Sequence, residues 1–183
     1  MLPAIDNTWT LFIDRDGVIN HEKKEDYILN WEEFAFYDGV KQAMKILNKK
    51  FGVIVLVTNQ RGVGKGLMSL DDLHDIHQNM TKEIEAAGGR IDQIYFCTSL
   101  NNHHPNRKPN AGMALQAKEH YPQIDFNKAM MVGNKPSDME FGRNAGITTV
   151  FVATTNPEVA FPNPLIDYRY NDLLEFAEAI EPA

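Results

Sequence analysis

Four polar clusters stand out in the sequence, and three of them follow directly on apolar runs. Phe12-Ile13 leads into Asp14-Arg15-Asp16-Gly17, and Val57 leads into Thr58-Asn59-Gln60. A polar loop carries Arg107-Lys108-Pro109. Met131-Val132 leads into Gly133-Asn134-Lys135-Pro136-Ser137-Asp138. Together they offer acids, a hydroxyl, a lysine and a further carboxylate. Phosphoryl transfer needs such a set. A carboxylate that attacks phosphorus divides one hard displacement into two easier ones. Two anions then meet, so a cation must offset their repulsion. Magnesium suits this, since it takes oxygen ligands from one or two carboxylates plus phosphate and water. A lysine adds a point charge on the phosphate. A hydroxyl and main-chain N–H groups at a strand-to-helix turn complete a cradle. A second acid, two residues on, can protonate the leaving oxygen and later take a proton from water.

Residues this far apart need a scaffold that brings strand ends together. Trp9–Asp14, Val53–Thr58, Ile91–Thr98, Ala129–Val132, Thr148–Val152 and Asp167–Tyr170 read as strands. The nearly pure β-branched run Val53–Thr58 is typical of a buried parallel strand. Helices are expected over Val40–Lys49 with Asp38 as cap, and over Leu70–Ala87, opened by Ser69 with Asp72 as its capping partner. Further helices are expected over Gly112–His120, Ser137–Asn144 (closed by Gly146) and Leu173–Ile180. Strand and helix alternate, which predicts an α/β fold: a Rossmann-like three-layer sandwich with a central parallel sheet and helices on both faces. One domain over residues 1–183 is expected. Ligands of such open sheets sit beyond the carboxyl ends of the strands, where these four clusters fall.

Composition narrows the classes. Hydrophobic residues make up 43%, enough for a proper core. The formal net charge of −7, with no basic run, argues against a nucleic-acid partner. No apolar stretch reaches the roughly 18 residues of a membrane span. The single cysteine, Cys97, excludes an intrachain disulfide and a multi-cysteine zinc site. A cytoplasmic setting and a monomer or weak homodimer are expected.

The motifs Asp14-x-Asp16-Gly17, Thr58-Asn59-Gln60, Lys108-Pro109 and Gly133-Asn134-x-x-x-Asp138 occur in order over nearly the whole chain. In this the chain resembles the haloacid dehalogenase-like superfamily. IDRDGVIN, VTNQRGVGKG, RKPNAGM and MVGNKPSDME are similar to its branch of histidinol-phosphate and heptose-bisphosphate phosphatases, the latter more so at Lys108-Pro109-x-x-Gly112-Met113. The resemblance implies Asp14 as nucleophile and metal ligand, and Asp16 as general acid/base with its carbonyl on the metal. Thr58 and Lys108 would hold the phosphate, and the acidic motif with Asn134 and Asp138 would complete a Mg2+ site. Asn59, Arg61 and Arg107 are added as phosphate or substrate contacts. The spacing leaves no room for a large cap domain. The implied activity is hydrolysis of a small phosphorylated metabolite, a heptose 1,7-bisphosphate or similar sugar phosphate. Alternatives are histidinol phosphate, a 3′-phosphorylated nucleic-acid end, and a catalytically weak phospho-ligand-binding protein.

Two departures from the pattern are visible. Asn134 stands where the superfamily usually has an aspartate; its oxygen can bind magnesium but brings no charge, and Asp138 could compensate directly or through water. The zinc loop often carried by the heptose-bisphosphate enzymes lacks its later cysteines after Cys97, so no structural zinc is expected even with His103 and His104 present. Gly62–Gly66 lacks phosphate-loop spacing and reads as a turn, with Arg61 or Lys65 near a second anionic group. His74 and His77 read as solvated residues on one helix face, and Cys97 as a core residue.

Overall fold

The computed structural model describes residues 1–180, built on one sheet of six parallel strands in the order β3-β2-β1-β4-β5-β6. The strands are β1 (Thr10–Ile13), β2 (Val53–Asn59), β3 (Gln93–Cys97), β4 (Ala129–Gly133), β5 (Thr148–Val152) and β6 (Tyr168–Tyr170). The helices are α1 (Val40–Asn48), α2 (Arg61–Gly64), α3 (Leu70–Ala86), α4 (Gly112–His120), α5 (Pro136–Ala145) and α6 (Leu173–Ile180).

Alternation along the central strands explains why they read as unbroken apolar runs. Leu11 and Ile13 of β1, Ile54 and Leu56 of β2, and Met130 and Val132 of β4 face one core with Met44 of α1, Met80 of α3 and Phe176 of α6. Phe12, Val55 and Met131 face the opposite core with Met113 of α4 and Phe141 of α5. Side chains two apart share a face, so both faces must be apolar to be covered. Asp14 continues the parity of Phe12, toward the layer of α4 and α5. Its N–H still donates to the Val132 carbonyl at 3.0 Å, so β1 delivers it in a fixed direction.

Several local signals act as expected. Ser69 accepts from the Asp72 N–H at 3.0 Å while the Asp72 carboxylate accepts from the Ser69 N–H at 2.8 Å, closing a capping box. Gly146 ends α5 with φ 73°. Others differ. Asp38 does not cap α1: the preceding position is Gly39, left-handed at φ 81°, with no side-chain cap. β3 starts at Gln93, because the Asp92 side chain takes the Ile54 N–H at 2.8 Å in place of a longer ladder. The start of the glycine run forms one helical turn, α2, not an open turn.

No helix of the described residues is long and apolar enough to cross a membrane. β1 pairs with β2 on one side and β4 on the other, so the chain reverses direction across the sheet at β1 and a crevice opens there. The Phe12 and Phe141 rings meet edge-on at 6.4 Å in the layer beneath that crevice. Phe141→Ala should lower stability by about 3–5 kcal/mol in urea unfolding, the usual result of emptying an aromatic core position.

Candidate active site

Lys108 sits at the centre of the crevice, 4% exposed. Its ammonium donates to Asp14 Oδ1 at 2.8 Å and to Asp138 Oδ1 at 2.7 Å. Three strand ends or connections thus meet at one buried charge: Asp14 after β1, Lys108 before α4, Asp138 in the first turn of α5. Burial alone would lower the pKa of Lys108, but the two carboxylates outweigh it and hold the pKa above the ordinary value. Burial and the charge of Asp138 push the Asp14 carboxyl up to about 7 against the opposing pull of Lys108.

Asp16 lies in a different environment. It accepts from Arg15 Nη2 at 2.8 Å, Asn20 Nδ2 at 3.0 Å and Gln60 Nε2 at 3.0 Å. Burial raises its carboxyl, yet the Arg15 charge and these hydrogen bonds prevail and hold it below the ordinary range. Arg15 is fully buried, with Nη1 3.2 Å from His77 Nε2 and its guanidinium 5.8 Å from the Phe34 ring centroid. His77 is therefore not the solvated residue its spacing implies; only His74 is exposed. Burial, then the Arg15 charge, depress His77 from 6.5 to about 3, so it stays neutral and accepts from Arg15.

Thr58 is buried, its hydroxyl accepting from Gln60 Nε2 at 2.9 Å and keeping its own proton to donate. Asn59 clamps the main chain of Lys108 instead of facing the crevice alone. Its Oδ1 accepts from the Lys108 N–H at 3.0 Å and its Nδ2 donates to the Lys108 carbonyl at 3.1 Å. Both oxygens of Asp138 are engaged, Oδ2 with the N–H groups of Asn134 and Lys135 at 3.1 Å each. It is thus the first-turn acid of α5 as well as the partner of Lys108. Gly133 permits this approach, since a Cβ there would lie 2.2 Å from that of Asp138.

The crevice opens into a polar cleft of about 470 Å³ walled by Asp16, Tyr27, Asn59, Arg61, Arg107 and Lys135. Arg61 donates to the Leu100 carbonyl at 3.3 Å. Arg61 Nε and Arg107 Nη1 are buried without a partner, and neither guanidinium is paired with a carboxylate among the described residues. Burial and the neighbouring Arg61 lower the Arg107 pKa. Cys97 is buried, 3.8 Å from His104 Nδ1.

No group of three or more His, Cys, Asp or Glu residues clusters for a metal among the described residues. The oxygens that do converge are of mixed origin: Asp14 Oδ2, the Asp16 carbonyl and the side chain of Asn134, whose inner amide atom lies 3.1 Å from each of the first two. Adjacent ligands of an octahedral magnesium stand roughly 3 Å apart, given metal–oxygen distances of about 2.1 Å, so this donor set fits that ion.

The crevice has recognisable relatives. The family model for polynucleotide kinase 3 phosphatase matches residues 5–161. The D-glycero-alpha-D-manno-heptose-1,7-bisphosphate 7-phosphatase of Mycobacterium bovis is 34% identical, covering 94% of this chain and 91% of its own. The chain belongs to this family of haloacid dehalogenase-like phosphatases, in the heptose-bisphosphate phosphatase branch. The structure of the D,D-heptose 1,7-bisphosphate phosphatase from B. bronchiseptica, complexed with magnesium and phosphate, superposes with TM-score 0.85 at 26% identity, covering 94% of this chain and 97% of that one. A HAD-superfamily hydrolase from Geobacter sulfurreducens shares the fold at TM-score 0.59 and 16% identity, covering 93% and 98%.

Sequence reasoning missed the shell of this phosphatase that grips Asp16. Arg15, Asn20 and Gln60 lay inside the quoted motifs without a role of their own, and His77 carried no signal of its contact with Arg15. The pairing of Lys135 with Glu22, 3.1 Å apart on the cleft wall, had no sequence signal either. Neutral His77 has a consequence for stability. Below pH 6.5 the unfolded chain protonates this residue and the folded chain does not, so stability falls as pH drops from 6.5 toward about 3. His77→Gln keeps an acceptor for Arg15 without that proton. Its stability should lose less on acidification than the wild type, by up to about 1.4 kcal/mol per pH unit, in chemical unfolding at pH 4.5 to 6.5.

Proposed function

We propose that this phosphatase hydrolyses a small sugar phosphate, of the heptose 1,7-bisphosphate class, through an aspartyl-phosphate on Asp14. The observation that carries the reading is the buried Asp14–Lys108–Asp138 cluster at the carboxyl edge of the sheet, opening onto a cleft with two guanidiniums that have no carboxylate partner among the described residues. In the first step an oxygen of Asp14 forms a bond to phosphorus and the ester P–O bond breaks. The leaving oxygen takes a proton from Asp16. In the second step Asp16 takes a proton from water, the water oxygen bonds to phosphorus, and the Asp14–phosphate bond breaks. Lys108 and Thr58 donate to the phosphoryl oxygens in both.

A magnesium ion held by Asp14 Oδ2, the Asp16 carbonyl and Asn134 Oδ1, with Asp138 behind them, would keep Asp14 ionised and offset its repulsion from the phosphate. In the free protein Asp14 holds its proton more tightly than Asp16 does, the reverse of what the first step needs. A phosphate dianion beside Asp16 disfavours its charge and raises its pKa, which moves the proton toward the residue that must give it.

The cleft also bears on the substrate. A second anionic group would satisfy Arg61 and Arg107, whereas the ammonium of histidinol phosphate would be repelled by them. The heptose reading otherwise rests on the names of the relatives. A nucleic-acid end fits poorly with a net charge of −7.

The test is phosphate release with magnesium from a panel holding heptose 1,7-bisphosphate, histidinol phosphate and a 3′-phosphorylated oligonucleotide. Asp14→Asn should abolish turnover, and Asp16→Asn should lower kcat by about 10²–10⁴-fold. A folded wild type inactive on every member would leave the weak phospho-ligand-binding reading standing. Replacing Arg61 and Arg107 by Gln should lower kcat/KM for the bisphosphate by about 10- to 100-fold, the weight of a charged hydrogen bond, and leave a monophosphate nearly unchanged. Equal losses on both substrates would refute the second-anion role.

A further inference from the structure

The Asn134 amide is fully buried between two pairs of oxygens. Its inner atom is 3.1 Å from Asp14 Oδ2 and 3.1 Å from the Asp16 carbonyl. Its outer atom is 2.6 Å from Thr155 Oγ1 and 3.3 Å from Glu22 Oε1. An amide carries two donors at one end and only lone pairs at the other, and a half-turn about its last bond exchanges them.

The two orientations differ in what they demand. With nitrogen inward, the amide gives an N–H each to Asp14 and Asp16, and its oxygen accepts from Thr155. Glu22 then faces a lone pair. With oxygen inward, the nitrogen donates to Thr155 and Glu22, and three oxygens meet with no proton among them when Asp14 is ionised. That arrangement is repulsive unless a cation lies between them. The Thr155 hydroxyl serves both states, because it can rotate to donate or to accept. Main-chain bonds hold the loop in either case: the Asn134 N–H on Asp138 and its carbonyl on Asn156 Nδ2 at 2.8 Å. Neither orientation therefore asks the backbone to move.

The surrounding charges favour the inward nitrogen when nothing else is present. Lys108 bridges Asp14 and Asp138, Arg15 holds Asp16 and Lys135 holds Glu22, so the acids exceed the cations by a single charge. A dication alone finds little uncompensated negative charge there. A phosphoryl dianion beside it supplies the missing charge.

We propose that Asn134 acts as an internal stand-in for the cation, its nitrogen inward in the free protein, its oxygen inward only when a divalent cation and a phosphoryl group enter together. This rests on the reading of the crevice as a magnesium-dependent phosphatase site. It makes the binding of the two ligands conditional on each other, and such coupling is reciprocal: phosphate raises magnesium affinity by the factor that magnesium raises phosphate affinity.

The experiment is calorimetric titration of magnesium chloride into the full chain, with and without saturating inorganic phosphate, for the wild type and Asn134→Asp. Proton–nitrogen NMR of the Asn134 side-chain amide in the wild type accompanies it. The expected result is a rise of at least tenfold in wild-type magnesium affinity with phosphate. The Asn134 amide signals should shift on adding both ligands and hardly at all on magnesium alone. Asn134→Asp should bind magnesium without phosphate at least tenfold more tightly than the wild type, with phosphate adding less. Equal wild-type affinity with and without phosphate, or amide signals that ignore the pair, would overturn the inference while magnesium-dependent turnover lost in Asp14→Asn kept the enzymatic reading intact. Phosphate release that persists after chelation of divalent cations would remove that reading and this inference together. The wild-type titration and spectra decide the matter even if Asn134→Asp does not fold.

Discussion

A lysine ammonium enclosed by protein must either lose its proton or be surrounded by negative charge. Lys108 takes the second course, and most of the crevice follows from it. Two carboxylates must reach one nitrogen from two sides, so β1 has to end, and α5 to begin, within a few ångströms of the loop before α4. That is possible because β1 and β4 are parallel neighbours whose carboxyl ends share one edge. The lysine's main chain must also be held still, and Asn59 does this through both of its amide atoms. Removing one member of such a cluster leaves an unpaired buried charge, which costs about 3–5 kcal/mol. Geometry here is therefore enforced by electrostatics as much as by packing.

The same enclosure separates the two aspartates. Asp14 is dry and shares its lysine with another acid, so its carboxyl rises. Asp16, two residues on, is wrapped by donors and falls. Neighbouring carboxylates in unlike environments can take unlike roles in one reaction, one reacting with phosphorus and one moving protons. The Arg15–His77 pair is what makes the second environment dependable. Among the described residues Arg15 has no carboxylate partner other than Asp16, and a neutral imidazole fixes its far end.

Much of the scaffold was legible because it is local. Apolar runs, the Ser69–Asp72 box and Gly146 state their own structure within a few residues, and the observed elements match within about two positions at most ends. The motif order also placed Asp14, Asp16, Lys108 and Asp138 on one edge. What could not be read depends on partners far along the chain. His77 looks like any exposed helical histidine until α3 is docked over Arg15. The clamp of Asn59 on the Lys108 main chain forms only when the loop before α4 folds back onto it. Asp38 has the composition of a cap, but the left-handed turn at Gly39 decides otherwise. Glu22 and Lys135 meet only after both loops close over the strand ends.

Position 134 shows how a site can change its electrostatics without changing its shape. The loop after β4 is fixed by main-chain bonds to Asp138 and Asn156, and by the fit of Gly17, where a Cβ would come within 2.0 Å of the Asn134 amide. The side chain packs on Gly17 but takes no part in those main-chain bonds. An acid there would add charge to a cluster already holding Asp14, Asp16 and Asp138, and the free protein would carry the repulsion at all times. An amide of nearly the same shape removes that repulsion by supplying its own hydrogen-bond donors. What it gives up is the standing attraction for a cation. The free protein is thereby relieved of charge strain, and the full set of charges is assembled only when the ligand brings its own.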